Sequence, residues 1–372
     1  MGDSVAQGSA GDWTWRYRLW RHLEQAGVAA DLVGPRNDLF DNMRLEFGSH
    51  DYLDPAFDTD HAARWGMSFT DQDHPIGDLI EAFDPDVVVE ALGINDLVWQ
   101  AAGADGVHDR LRLSVEQARS ADPDIDLVLA RLPQTWLADV PEANARISEL
   151  PGELADDRSR IEIATTDSGF YDRIDTYDAG HPNAAGELKI AAAVADALSR
   201  LGVGTPYVRP LPEVPLGPRW APVLAGESGD RAAHLTWSGS PGSDHEYLWQ
   251  RDVTAGQSWS APGPALAGTE TVVTGLRNGH TYRFKLQPVK GYHAAADDVR
   301  SNVVTLTPQA PPPGGVDGLS VRSRWHALGL QWAATPGATR YLVDWWVLGR
   351  EAAAQRLGTT ASRALITGVD DA

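Results

Sequence analysis

The sequence predicts a doubly wound α/β domain followed by small antiparallel β sandwiches, on three observations. Over the first 203 residues, apolar helical faces alternate with short apolar runs bounded by turn residues. A Pro-rich connector, TPYVRPLPEVPLGP, then gives way to short β runs separated by Gly, Pro and Ser. The charge changes at the same place: residues 1–200 hold 38 acidic and 16 basic side chains, a net −22, whereas 201–372 hold 14 and 15.

Each element has its own signal. Trp13, Tyr17, Trp20, Leu23 and Ala26 recur at three to four residues, which predicts a helix closed by Gly27. VAADLVG follows as a strand. After a poorly periodic, Asp-rich stretch from 37 to 73, Ile76 to Phe83 reads as a helix and PDVVVEALG as a buried parallel strand. The alternation continues with helix 106–121, strand IDLVLARLP, helix 141–157, strand RIEIATT and the final helix in PNAAGELKIAAAVADALSRLG. The expected organisation is an α/β domain over 1–204, a linker over 205–216, a sandwich over 217–308, a stiff linker over 309–315 and a partial second sandwich over 316–372. The first sandwich is read from AAHLTW, HEYLWQR, TETVVTGL, HTYRFKLQPV and SNVVTLTP. The second is read from GLSVRS, HALGLQWAA, TRYLVDWWV and RALITGVDD. Trp237 and Trp332 fall in corresponding strands, as core tryptophans would.

Composition excludes several functions. The overall charge of −21 gives no attraction to nucleic acid or an anionic membrane surface. No run is long and apolar enough for a membrane span, and zero cysteines exclude disulfides, thiol catalysis and cysteine metal sites.

Three short strings carry the chemistry: Gly2-Asp3-Ser4, Gly93-Ile94-Asn95-Asp96, and Asp178-Ala179-Gly180-His181-Pro182. In a parallel sheet the carboxyl ends of the strands share the edge where ligands bind, and the first two strings fall at such ends. On these strings the first 200 residues resemble an SGNH (GDSL-type) hydrolase, with DLVG and HAARWG similar to its carbohydrate-esterase branch. The implied fold is the flavodoxin-like three-layer sandwich of that family. Leu276, Gly279 and Tyr282 resemble the tyrosine corner of fibronectin type III modules, an immunoglobulin-like fold. By position in the second family block, Gly66 is the oxyanion candidate. That block shows two glycines three apart, of which His61 to Gly66 keeps only the later.

The residue types suit acyl transfer. A Ser hydroxyl needs a neighbouring imidazole to take its proton, which assigns Ser4 as nucleophile and His181 as base. Asp178, three residues ahead, accepts the His181 Nδ1 proton and fixes the tautomer. Oxyanion donors are the Ser4 and Gly66 backbone N–H groups and the Asn95 amide. Asp3 and Asp96, with Gly93, support these loops as turn or cap residues. No cofactor and no metal is expected: DYLDPAFDTD lacks the Gly and distal Glu of an EF-hand loop and reads as a solvated acidic face. Trp65, Trp99 and Trp136 either line an acyl or sugar pocket or pack locally.

Only Met1 precedes Gly2, so the first strand expected of this fold is missing. The expectation is a fragment whose export signal lay upstream, of a protein secreted or displayed at the cell surface. The expected activity is hydrolysis of acetyl esters of carbohydrates. A lipid esterase or lysophospholipase, or an inactive cell-surface binding protein, is the alternative. Catalysis is expected to belong to residues 1 to about 205, with the sandwiches as spacers or surface contacts to polysaccharide.

Overall fold

A computed structural model describes residues 1–41, 44–260 and 262–369. Helices α1 (Ser4–Gln7) and α2 (Thr14–Gln25) lead into a hairpin, β1 (Leu39–Asp41) and β2 (Glu46–Ser49). Then come α3 (Ile76–Phe83), β3 (Val87–Glu90), α4 (Ile94–Gln100), α5 (Gly103–Ala121), β4 (Asp126–Ala130), α6 (Val140–Glu153), β5 (Ile161–Ala164) and α7 (Ala184–Arg200). Strands β3, β4 and β5 pair in parallel in that order, with Val88 opposite Leu127 and Leu129 opposite Ile163.

Alternation along the sheet separates two cores. Val128 and Ala130 of β4 pack with Leu19 and Leu23 of α2 and with Ala191, Val194 and Leu198 of α7. Leu127 and Leu129 point the other way, into Ile76 and Ile80 of α3, Val107, Leu111 and Val115 of α5, and Ile147 and Leu150 of α6. Helices on both faces make the three layers of a flavodoxin-like α/β fold.

The fourth position of the sheet is held by two residues. Gly2 bridges in parallel to Ala91 on one side and Ala63 on the other. The Gly2 N–H donates to Ala62 O (3.1 Å), the Ala91 N–H to Met1 O (3.0 Å) and the Arg64 N–H to Gly2 O (3.1 Å). Residues 61–63 thus continue the sheet beyond this stub, and His61 pairs in turn with Arg36.

Val28 to Gly34, expected as a strand, is not one. It lines one side of a cavity of about 690 Å³ whose opposite side is Val87 to Val89, with Ile80, Phe83 and Leu198 completing an apolar wall. A strand exists only where a neighbour takes its ladder bonds, and no described strand pairs with Val28 to Gly34. The β1–β2 hairpin, conversely, has no alternating signal. It forms because Asp38 gathers Gln7, Arg36 and the Gly48 N–H around one carboxylate.

The chain divides into two compact units, one of residues 1–227, 234–273 and 280–306, the other of 228–233, 274–279 and 307–372. The first therefore takes in most of the first sandwich along with the α/β layers. That sandwich has one sheet of β6 (Leu224–Gly229), β7 (Ala232–Trp237) and β10 (Glu270–Thr274). The other is built from β8 (His245–Asp252), β9 (Ala265–Leu266), β11 (Tyr282–Lys290) and β12 (His293–Ala294), with β13 (Val304–Leu306) on β11. Leu235, Trp237, Phe284 and Leu286 are buried in it. The second unit contains a sheet of β14 (Ser320–Arg324), β15 (Ala327–Gln331) and β18 (Arg363–Thr367), and a pair, β16 (Tyr341–Trp345) and β17 (Gln355–Thr359). Trp332 is buried there, edge-on to Tyr341 at 5.2 Å. Asp370 and Asp371 of the last expected run lie outside the described residues.

The cavity generates a stability prediction. An apolar strand of about six residues added ahead of Met1 would bury several side chains at about 1.5–3 kcal/mol each. Its melting temperature should exceed that of the present chain by several degrees, measured by calorimetry; equal midpoints would mean that the slot does not accept a strand.

Candidate active site

Four connections at the carboxyl ends of the sheet carry the sequence-predicted residues to one place. The stub ends in Asp3, which caps α1 by accepting the Val5 N–H at Oδ1 (2.9 Å) and leaves Ser4 as the first helical residue. Its N–H is accordingly among those a helix start leaves without an intrahelical acceptor. The long connection from β5 to α7 brings Asp178 and His181. His181 Nε2 lies 2.9 Å from Ser4 Oγ, and His181 Nδ1 lies 2.8 Å from Asp178 Oδ2. A carboxylate only accepts, so the proton sits on Nδ1, and Nε2 is left to accept the Ser4 hydroxyl proton.

Asp178 is fixed by more than the ring. Its Oδ1 accepts the backbone N–H groups of Gly180 (2.9 Å) and His181 (2.7 Å). Burial pushes its carboxyl up. The hydrogen bond and charge of His181, with these two N–H groups, outweigh that and hold it below the usual carboxylate range. The imidazole is oriented by stacking as well, with the Trp65 ring at 4.3 Å and the Tyr177 ring at 5.7 Å. Trp65 in turn stacks on Phe40 at 4.4 Å.

The oxyanion candidates occupy two further loops. Arg64 to Met67 make a turn closed by Met67 N–H to Arg64 O (2.9 Å), with Gly66 at φ +78°, the left-handed third position of a type II turn. The Arg64 and Trp65 N–H groups donate to Gly2 O and Gln7 Oε1. Among the described residues that leaves the Gly66 N–H as the turn's unengaged donor. After β3, Gly93 takes the N-cap position of α4 and places Asn95 in its first turn, where one amide hydrogen donates to Met67 O (2.9 Å). The other amide hydrogen remains to donate.

The two supporting aspartates are fully buried. Asp96 accepts the Phe69 N–H (3.2 Å) and Arg110 Nη1 (2.5 Å), so it ties the Gly66 loop to α4 and α5. Burial nevertheless keeps it above the usual range, against those bonds and the Arg110 charge. Burial pushes Asp3 up to about 7, opposed by the Val5 N–H and the His181 charge.

Several participants carried no motif. Gln7 joins Trp65 to Asp38, and Arg16 spans Ala6 O, Gln7 O, Thr59 O and Tyr52 Oη. Arg16 was detectable only as an arginine on an otherwise apolar helical face. Trp136 packs locally, stacking on Phe170 and donating Nε1 to Ala179 O at 3.3 Å, while Trp99 is almost fully exposed. Among the described residues no group of three or more His, Asp or Glu is placed to hold a metal ion.

Residues 1–188 match the model of the GDSL-like Lipase/Acylhydrolase family. The chain belongs to that family. A multidomain esterase of Ruminococcus flavefaciens is 26% identical over 211 residues, which are 51% of this chain and 27% of that protein. The chain therefore spans about a quarter of the length of that relative. A carbohydrate esterase family 3 structure from Talaromyces cellulolyticus is 25% identical, covering 54% of this chain and 95% of its own, at a TM-score of 0.47. A two-domain fibronectin type III segment from chicken tenascin is 17% identical, covering 40% of this chain and 82% of its own, at a TM-score of 0.28.

Asp3 makes stability depend on pH. With its folded value near 7 and an unfolded value of about 4, its contribution is fully present below about pH 4 and is lost as pH rises through 7. Asn retains the capping oxygen, so Asp3→Asn should flatten the fall in melting temperature between about pH 4 and 7. An unchanged slope would show that the carboxyl ionises freely in the folded protein.

Proposed function

We propose that this family member is a serine ester hydrolase using Ser4, His181 and Asp178, and that its substrates are acetyl esters of carbohydrates. The observation that carries the reading is the unbroken relay from Ser4 Oγ through the His181 ring to Asp178, 2.9 and 2.8 Å. His181 Nε2 takes the Ser4 proton as Oγ attacks the ester carbonyl. The tetrahedral oxyanion is met by the Ser4 and Gly66 N–H groups and by Asn95. His181 then returns the proton to the departing sugar hydroxyl, leaving an acyl-Ser4 ester, and water repeats the steps in reverse. Asp178 stabilises the imidazolium at each stage. The carbohydrate acetyl substrate is supported by the DLVG and HAARWG segments that resemble the carbohydrate-esterase branch, and the ester chemistry by the likeness to the multidomain esterase.

Kinetics on p-nitrophenyl acetate test the assignment. Ser4→Ala and His181→Ala should each abolish turnover, and the double variant should lose little more, because the pair acts as a unit. Parental turnover in Ser4→Ala would overturn it. Asn95→Ala should lower kcat about 10² to 10³-fold with KM nearly unchanged. Faster turnover of long-chain than of acetyl esters would replace the carbohydrate reading with a lipid one.

A further inference from the structure

The segment carrying Asp178 and His181 runs from β5 to α7 without a regular element, apart from a bridge between Thr176 and Pro182. Its position must come from side-chain and backbone clamps, and the turn between β11 and β12 of the sandwich supplies several. The Tyr292 N–H donates to Tyr177 O (3.0 Å), and Tyr177 N–H donates to His181 O (3.0 Å). His293 Nε2 lies 2.9 Å from Thr176 O and 3.0 Å from Asn183 Nδ2. Both hydrogens of that amide have carbonyl acceptors, Ile174 O and Thr176 O, so the imidazole N–H donates to Thr176 O. The approach is close enough to demand glycine, since a Cβ on Gly291 would stand 1.5 Å from Tyr177 O.

Lys290 joins this segment to the nucleophile's own. Its buried Nζ donates to Ser9 Oγ (2.5 Å) and Asp12 Oδ2 (3.0 Å), just beyond the helix that begins with Ser4. The same ammonium lies 4.3 Å from the centre of the Tyr177 ring, which itself stacks on His181. One sandwich residue thus touches both segments that carry the relay without touching a reacting atom.

We propose that the β11–β12 turn is a positioning element of the hydrolase, in which Lys290, Tyr292 and His293 hold residues 176–183 so that His181 stays within hydrogen-bond reach of Ser4. The inference rests on the Ser4, His181 and Asp178 reading above, and it replaces the spacer role expected of this sandwich.

The test uses the full chain and its Lys290→Met, His293→Leu, His293→Gln and Lys285→Met variants, with kcat and KM on p-nitrophenyl acetate, the rate of fluorophosphonate labelling at Ser4, and melting temperature. Misplacing His181 by a fraction of an ångström should lower kcat and labelling together, about 10 to 10²-fold in Lys290→Met and His293→Leu, with little change in KM. Gln keeps an N–H donor and should restore most of the loss, which a general packing defect would not allow. Lys285→Met, on the same strand but against Trp249 and Trp259, should behave as the parent. If Lys290→Met does not fold, the Leu and Gln variants at 293 decide, and equal rates in the two overturn the proposal. Labelling of the parent with folded Lys290→Met and His293→Leu labelled at the same rate removes this proposal alone. No labelling of the parent at Ser4 removes the esterase reading, and this one with it.

Discussion

The catalytic geometry hangs on the hydrogen bonds that hold Met1 and Gly2 inside the sheet. Gly2 pairs on both sides, with 61–64 and with Ala91, so the direction in which the chain leaves the sheet at Asp3 is fixed from two sides. The same neighbours continue into the Gly66 turn and the Asn95 helix. Three loops bearing three of the five acyl-transfer residues, Ser4, Gly66 and Asn95, therefore share one set of backbone bonds.

Around that frame the polar side chains are arranged to lock loops to one another. Asp96 joins α4 to the Gly66 loop and to Arg110, Gln7 joins the nucleophile helix to Trp65, and Arg16 staples that helix to Thr59 and Tyr52. The segment of Asp178 and His181 meets this web through Trp65, which stacks on His181, and takes further clamps from a different part of the chain. Lys290 illustrates the cost of such a design. A buried ammonium is tolerated because Asp12, Ser9 and the Tyr177 ring compensate it, and the Asp12, Tyr177 and Glu187 charges raise it above its ordinary value despite burial.

Much of this was legible in the residues. The 3.6-residue periodicity of Trp13 to Ala26 marked α2, the β-branched run at 87–89 marked β3, and two of the three strings named the residues now found within hydrogen-bond reach of one another, Ser4, His181 and Asp178. What failed has physical reasons. Val28 to Gly34 has strand composition, but composition cannot supply a ladder partner. The β1–β2 hairpin depends on one carboxylate, Asp38, rather than on alternation. Lys290 and His293 sit in an ordinary turn of a sandwich strand pair, more than 100 residues from the loop they grip, so no local pattern could announce them.

Amide hydrogen exchange at Gly2, Arg64 and Ala91 tests the central constraint most directly. If the stub is held as described, these three amides should exchange as slowly as those of β4, because each donates a bond inside the sheet. Exchange at the rate of a free chain end would show that Ser4 is not held by the sheet, and would contradict the account from its first bond onward.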